Sequence, residues 1–195
     1  LFLNDYQVTQ YVQSVGHRLE SAVPPEFRQQ QFNCTFKIVN ARDINAFALP
    51  ACYLYVNRGM IEAAQNEGEM AGVMAHEISH AILRHSTAQA TRQSNPLNQI
   101  LGIGAILGGA ILGGQTGAAI GSTIYSGLLV NPYSREYETQ ADLLGSQIMA
   151  RAGYDPRDLA RMFETIQKQG GGSPPQWLSS HPNPGNRTQY ITAEA

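Results

Sequence analysis

Two histidines four positions apart, His76 and His80, enclose Glu77 in the segment His-Glu-Ile-Ser-His. Residues four apart lie on the same face of a helix, so both imidazoles could bind one metal ion. Glu77 lies next to that face, where its carboxylate could take a proton from a water molecule on the metal. Zinc with three protein ligands and one open position lowers the pKa of that water to about 7. The pattern therefore predicts the helix-borne metal centre of a zinc hydrolase.

A third protein ligand is predicted on a second helix. Glu138 and Asp142 are four residues apart and share a face. Glu138 is the candidate ligand, and Asp142 is the candidate acceptor for the free ring N–H of a ligand histidine, whose tautomer it would fix. His85 follows His80 by five residues, which is about 140° around a continuous helix. We therefore expect His85 to be an exposed histidine that does not bind the metal.

The elements that must position these residues are helices and a small early sheet. Asn66 can cap a helix that carries the two histidines and runs to about Ala90. Ser134 can cap a helix that carries Glu138 and closes on Gly153. The other predicted elements are helices over Asn4–Val23 and Asp155–Gln169, strands over Phe32–Asn40, Asn45–Pro50 and Tyr53–Asn57, and a mostly irregular tail from Trp177. The pattern predicts an α+β fold in a single domain over residues 1–195.

Composition narrows the class of protein. Charged residues make up 14% of the 195 residues and the net charge is −2, whereas an average globular protein is about 25% charged. A nucleic-acid partner is not expected, because phosphate contacts need clustered Lys and Arg. The two cysteines, Cys34 and Cys52, could form one disulfide in an oxidising compartment or remain buried thiols.

The missing charge is concentrated in one segment. Residues 93–134 contain no Asp, Glu, Lys, Arg or His and are rich in glycine. Three interpretations are open: a transmembrane helix, a small-residue helical hairpin packed on the protein, and a lid that faces a membrane or gates the substrate. The segment connects His80 to Glu138, so it would border the cleft in each case. A contact with a membrane surface would be made by residues 98–128.

At these residues the chain resembles metallopeptidase family forty-eight, which includes the CAAX prenyl endopeptidases, HtpX and the periplasmic BepA-like proteases. The soluble BepA-like branch fits best, because the sequence has no set of several transmembrane helices. One departure is Ala51-Cys52, where relatives often carry Gly-Gly, and it bears on a local turn. The matching motifs are His76–His80, Asn45–Pro50 with Tyr55–Gly59, Ser134–Gly145 and Ser180–Arg187.

The resemblance implies a gluzincin-type zincin with a mainly helical C-terminal half. In such a fold the small early sheet packs against the helix that carries the His-Glu-x-x-His motif and against the second ligand helix. The resemblance also implies that His76, His80 and Glu138 bind one zinc ion per chain, and that Glu77 is the catalytic base.

The same resemblance implies roles for two residues near the C-terminus. His181 would approach the zinc, either as a fourth, inhibitory ligand or as a catalytic residue that hydrogen-bonds the oxyanion. Arg187 would anchor the same loop through a carboxylate, or bind substrate. An edge strand could bind an extended substrate through main-chain hydrogen bonds, although an ordinary sheet strand is an equal alternative. The residues of that strand are Asn45, Ala46, Phe47 and Ala48.

The predicted function is that of a zinc-dependent endopeptidase for the quality control of envelope or membrane-associated proteins. Its location would be extracytoplasmic, in a bacterial periplasm, with association to the membrane left open. One alternative is a latent or inactive zinc-containing chaperone or assembly factor in which His181 caps the zinc. Another is a membrane-binding structural module with an incidental His-Glu-x-x-His. The expected partners are a protein or peptide substrate and, in a larger parent protein, a C-terminal helical-repeat domain.

Overall fold

A computed structural model of the chain describes residues 2–28, 33–93, 132–169, 174–183 and 185–195. Almost all of the charge-free segment lies outside these residues, so the three interpretations of residues 93–134 and the membrane contact of residues 98–128 stay predictions. Among the described residues, none of the helices combines the length and the apolar character that a membrane span requires.

The described chain folds into one small sheet and a larger set of helices, which confirms the predicted α+β class. The strands are β1 (Thr35–Val39), β2 (Ala46–Leu49) and β3 (Tyr53–Asn57). The helices are α1 (Tyr6–Ser21), α2 (Arg58–Ala63), α3 (Glu67–Ile82), α4 (His85–Gln93), α5 (Arg135–Ala152), α6 (Arg157–Gln169), α7 (Gln176–Ser180) and α8 (Arg187–Glu194), with a 3-10 turn at Pro25–Phe27.

The sheet has the strand order β1-β3-β2, with β1 parallel and β2 antiparallel to β3. Alternate side chains of β1 and β3 are buried, as expected for strands with one face on the core; these are Phe36, Ile38, Leu54 and Val56. In the described sheet β2 is an edge strand, and both β2 and β3 contact α3. The sheet therefore supports the helix that carries the two histidines.

A disulfide joins the starts of the two parallel strands. Cys34 and Cys52 are bonded, with their Cα atoms 4.7 Å apart, and each directly precedes a strand. Ala51 and Cys52 form the turn between β2 and β3 with φ angles of 64° and 63°. This is the left-handed conformation for which glycine is preferred, and it explains why Gly-Gly suits the same turn.

Replacing both cysteines with alanine is expected to lower the free energy of unfolding by about 3 kcal/mol. The crosslink spans 18 residues, and closing a loop of that size restricts the unfolded chain by about this amount. Urea unfolding with and without a thiol reductant measures the effect. The reductant should destabilise the wild-type chain and leave the double variant unchanged; equal sensitivity of the two would contradict the crosslink.

The central element is α3, which is buried on all sides from Gly68 to Ile82. Asn66 caps it by accepting the Glu69 backbone N–H at 2.8 Å, as the capping pattern predicts. The second half of that pattern differs, because the Glu69 carboxylate accepts from the Gln65 backbone N–H. Small residues let the neighbouring helices approach closely. A Cβ at Gly145 of α5 would lie 3.2 Å from the His76 backbone nitrogen.

Two boundary predictions are wrong. The helix does not continue to Ala90: it ends at Ile82, Arg84 takes a left-handed φ of 55°, and α4 begins at His85. The tail is not mostly irregular, since α7 and α8 form there. Each of these helices is too short to show apolar periodicity, and each is fixed by one fully buried apolar side chain, Trp177 and Ile191 respectively.

Candidate metal centre

Two packed helices bring the predicted site residues together. Three of them, His76, Glu77 and His80, lie on α3. The other two, Glu138 and Asp142, lie on α5, which begins after Ser134; the Ser134 hydroxyl accepts the Tyr137 backbone N–H at 3.2 Å. All five of these side chains are at most 1% exposed. A charge-bearing group buried this deeply requires partners of opposite charge or a metal ion.

Four potential ligand atoms converge at one point in this buried space. His76 Nε2 lies 3.0 Å from His80 Nε2, and the carboxylate of Glu138 lies 3.1 Å from His80 Nε2 and 3.5 Å from His76 Nε2. His181 completes the group through Nδ1, at 3.2 Å from His76 Nε2 and 2.9 Å from Glu138 Oε1. The four atoms lie within 4.8 Å of one another. We call the four side chains that carry them the metal group.

These donors fit a zinc ion in composition and in spacing. Tetrahedral zinc binds nitrogen and oxygen at about 2.0–2.1 Å, so two ligand atoms of one tetrahedron are roughly 3.3 Å apart. The contacts that His76 and Glu138 make within the group are 2.9–3.5 Å, and no two of the four ligand atoms are more than 4.8 Å apart. Two imidazole nitrogens at 3.0 Å repel each other through their lone pairs unless a proton or a cation lies between them. Three nitrogens and one carboxylate are a donor set that zinc accepts.

Burial and the neighbouring charges shift the pKa values of the side chains in this group. Burial lowers the pKa of His80 to about 3, so this imidazole is neutral. Burial also opposes a charge on His181, but the carboxylates of Glu138 and Glu77 overcome it and raise the pKa of His181 to about 10. Burial acts against the Glu138 charge too, yet His181 and His76 hold the pKa of Glu138 well below its usual range. The anionic carboxylate therefore attracts cations into this space.

Asp142 connects His76 to a buried arginine. Its Oδ1 lies 2.9 Å from His76 Nδ1, and its Oδ2 accepts from Arg187 Nε at 2.7 Å and from the Tyr190 hydroxyl. Arg187 also donates from Nη2 to Glu138. The guanidinium thus binds one carboxylate in the metal group and one behind it.

Glu77 faces the same space from the other side of the group. Its Oε1 accepts from Trp177 Nε1 at 2.9 Å and lies 3.1 Å from His181 Nε2. The Trp177 and His181 rings stack with their centroids 4.7 Å apart. The backbone N–H of Trp177 donates to the Ile44 carbonyl, just before β2, and that of Tyr133 donates to the Ser180 carbonyl. These bonds hold α7, and with it His181, over the group.

Residues 7–195 match the profile of peptidase family M48. The chain belongs to this family. The resemblance seen in the sequence is therefore confirmed, and the family is one of metallopeptidases, enzymes that hydrolyse peptide bonds. It also implies a bound metal, in agreement with the buried group of ligand atoms.

Curated relatives show the same relationship. The chain is 33% identical over 196 residues to the beta-barrel assembly-enhancing protease of Escherichia coli (strain K12), which is 95% of this chain and 38% of that protein. It is 32% identical over 158 residues to the mitochondrial metalloendopeptidase OMA1 of Arabidopsis thaliana, which is 81% of this chain and 30% of that protein. The chain thus spans about two fifths or less of the length of these relatives.

One sequence-based expectation about this M48 site is wrong. His85 is buried, only 2% exposed, instead of lying on the surface. The left-handed turn at Arg84 moves it off the spiral of α3, so the 140° offset of a continuous helix does not apply. Its Nδ1 lies 2.9 Å from His80 Nδ1, while the metal group itself does not include it.

Sequence reasoning also missed two aromatic residues. Trp177 is the only tryptophan in the chain and lies four residues before His181, a signal that could have linked it to the site. Tyr133 stacks on His80 with the ring centroids 4.0 Å apart. It directly precedes the predicted cap Ser134, but nothing in the sequence distinguishes it from other tyrosines.

Proposed function

We propose that this chain is the catalytic domain of a zinc-dependent endopeptidase of the gluzincin type. In this proposal His76, His80 and Glu138 hold one zinc ion and Glu77 is the general base. The observation that carries it is the convergence of four buried ligand atoms within 4.8 Å. Glu77 is not one of these four residues, but its Oε1 lies 3.1 Å from Nε2 of His181.

The residues of the chain would divide the work of peptide hydrolysis. The zinc ion would supply a Lewis acid for the scissile carbonyl and for a water molecule. Glu77 would accept a proton from the water as its oxygen bonds to the carbonyl carbon, and would pass that proton to the amine nitrogen as the C–N bond breaks. Asp142 would accept a hydrogen bond from the Nδ1–H of His76, which keeps the proton on Nδ1 and leaves the Nε2 lone pair directed at the centre.

Metal content tests the ligand assignment. The wild-type chain is expected to bind one zinc ion, and Glu138→Gln to bind it more weakly by roughly ten- to hundredfold or more. A neutral amide is a poorer ligand, and even residues behind the ligands change metal affinity by that factor. Competition with a chromogenic chelator measures the affinity, and Glu164→Gln on the exposed face of α6 is the control. Equal zinc affinity in Glu138→Gln and the wild type would refute the ligand set.

His181 supports the proposal of a closed resting form. Its ring lies between two carboxylates, 3.1 Å from Glu77 and 2.9 Å from Glu138. A substrate carbonyl that reaches the base would have to take this place. We therefore propose that His181 is a fourth ligand in the closed resting form and that the substrate displaces it. In the open form His181 would instead hydrogen-bond the oxyanion. The same observation favours the second candidate function, a zinc-containing chaperone or assembly factor that stays capped.

The variant His181→Ala separates the two functions. If the protein is a latent protease, the variant should cleave an unfolded protein such as casein about tenfold or more faster. The reason is that His181 of the wild type is held in place by hydrogen bonds to charged groups, each contributing about 1.5–3 kcal/mol. The variant does not have to break these bonds before substrate enters. The rate of fluorescent-casein hydrolysis is measured alongside zinc content. No cleavage by a fully zinc-loaded variant would instead support the chaperone or assembly factor.

The substrates we propose are envelope or membrane-associated proteins in an extracytoplasmic compartment. The buried disulfide supports an oxidising environment, where such bonds persist. The names of the relatives, a beta-barrel assembly-enhancing protease and a mitochondrial metalloendopeptidase, support substrates of this kind. An extended substrate would pair along Asn45–Ala48, three residues of which belong to β2, since this strand lies at the edge of the described sheet beside α3. Membrane contact through residues 98–128 and a C-terminal helical-repeat domain in the parent protein complete the proposal.

A further inference from the structure

The two ring nitrogens of His80 face different groups. Its Nε2 points into the metal group, 3.1 Å from Glu138 Oε1. Its Nδ1 lies 2.9 Å from His85 Nδ1, and the other nitrogen of His85, Nε2, lies 2.9 Å from Gln140 Oε1. His80 is therefore connected to Gln140 through the imidazole of His85. His76 differs, because its Nδ1 faces the carboxylate of Asp142.

Only one arrangement of protons satisfies this row of atoms when His80 binds a metal. A ligand nitrogen must offer its lone pair, so His80 carries its proton on Nδ1 and donates it. His85 Nδ1 must then accept, which places the His85 proton on Nε2, opposite the Gln140 carbonyl oxygen. The Gln140 amide is turned that way because its Nε2 lies 3.4 Å from Glu136 Oε1, and an ionised carboxylate can only accept.

We propose that His85 is a positioning residue for the metal centre: together with Gln140 and Glu136, it fixes His80 in the tautomer that presents Nε2 to the metal. The inference rests on the proposed zinc function. A neutral acceptor has a physical advantage at this position. The buried site already contains the carboxylates of Glu77, Glu138 and Asp142, and a fourth would add another charge to desolvate. An imidazole orients the ligand without that cost.

The local structure holds both rings in place for this role. The Arg84 turn brings His85 back beside His80. Tyr137 stacks on His85 with centroids 4.3 Å apart and planes 8° apart, and Tyr133 stacks on His80 at 4.0 Å and 17°. Stacking sets the ring planes but cannot choose which nitrogen carries the proton. The hydrogen-bonded row supplies that choice.

The test compares two substitutions of His85 in the full, zinc-loaded chain. His85→Phe keeps the ring and its stacking on Tyr137 but cannot accept a hydrogen bond. His85→Asn has a carbonyl oxygen close to the position of Nδ1 and can accept. Chelator competition should give a zinc dissociation constant roughly 10–100-fold higher for His85→Phe, the range known for residues behind metal ligands. His85→Asn should restore most of the affinity.

A second readout does not depend on affinity. In the wild-type chain, NMR should detect a scalar coupling between the Nδ1 atoms of His80 and His85 across the N–H···N hydrogen bond. Gln140→Met provides a further variant, because Gln140 is exposed and its replacement leaves the packing of the site intact. It should weaken zinc binding severalfold in the same direction.

The outcomes separate the inference from the function on which it rests. A wild-type chain that binds no zinc would overturn both. A wild-type chain that binds zinc, with His85→Phe equal to it or with His85→Asn as weak as His85→Phe, would overturn only the positioning role. Weak binding by His85→Phe, recovery in His85→Asn and the N–N coupling together would establish it.

Discussion

Glu77→Gln is expected to reduce peptide cleavage by about 10²–10⁴-fold while zinc stays bound. A positioned general base contributes a factor of this size, and an amide cannot accept the proton of the attacking water. Glutamine has the shape of glutamate, and its carbonyl oxygen can still accept from Trp177 Nε1, which lies 2.9 Å from the carboxylate in the wild type. The fold and the ligand group should therefore be unchanged. Hydrolysis of fluorescent casein and zinc content, both in the His181→Ala background if the wild type is silent, measure the effect.

A matched control lies on the same helix. Glu69 is also a buried glutamate of α3, but its carboxylate accepts from the Gln65 backbone and from Thr165, far from the metal group. Glu69→Gln should leave the cleavage rate unchanged. Cleavage retained by Glu77→Gln would refute the role of Glu77 as the base. Loss of zinc together with activity would identify Glu77 as a ligand instead.

The parts of this site that the sequence predicts are those set by helical spacing. His76 and His80 are four residues apart on α3, and Glu138 and Asp142 are four apart on α5, so the period of the helix alone places each pair on one face. Asn66 and Ser134 mark the starts of these helices through local hydrogen bonds. Such features depend on neighbours within one turn, and these are visible in the sequence.

The parts that escape prediction depend on one backbone angle and on contacts between distant residues. Arginine has no preference for a left-handed φ, so nothing marks Arg84 as the end of α3, and His85 is consequently misplaced on the surface. Trp177 meets Glu77 across 100 positions of the chain. Its position depends on how α7 packs, which no local pattern encodes.

Arg187 illustrates a prediction with the right direction and too little detail. The family resemblance predicts one carboxylate partner that anchors a loop. The structure gives it two, Asp142 and Glu138, and places its guanidinium 3.8 Å from the centre of the Phe163 ring. Its partners lie 45 and 49 positions away. The arginine is therefore the cation of a buried network, which follows only from the packing of α8 on α5 and α6.

Arg187→Met is accordingly expected to destabilise the protein by about 3–5 kcal/mol. Methionine fills a similar volume, but it leaves the buried carboxylates of Asp142 and Glu138 without their arginine, and removing one member of a buried pair costs this much. Arg187→Lys, which keeps the charge but not the planar fork, should lose less. Urea unfolding of the zinc-free chain measures each change.

The surface pair of Arg161 provides the control for this prediction. Arg161 pairs with Asp158, and about half of its side chain is exposed. Arg161→Met should change the free energy of unfolding by no more than about 1 kcal/mol, as is usual for exposed ion pairs. If Arg187→Met proved no more harmful than Arg161→Met, the two carboxylates would not depend on the guanidinium. The negative charge of Glu138 would then have to be balanced by His181 and His76 alone. A bound metal ion would replace that ion pairing.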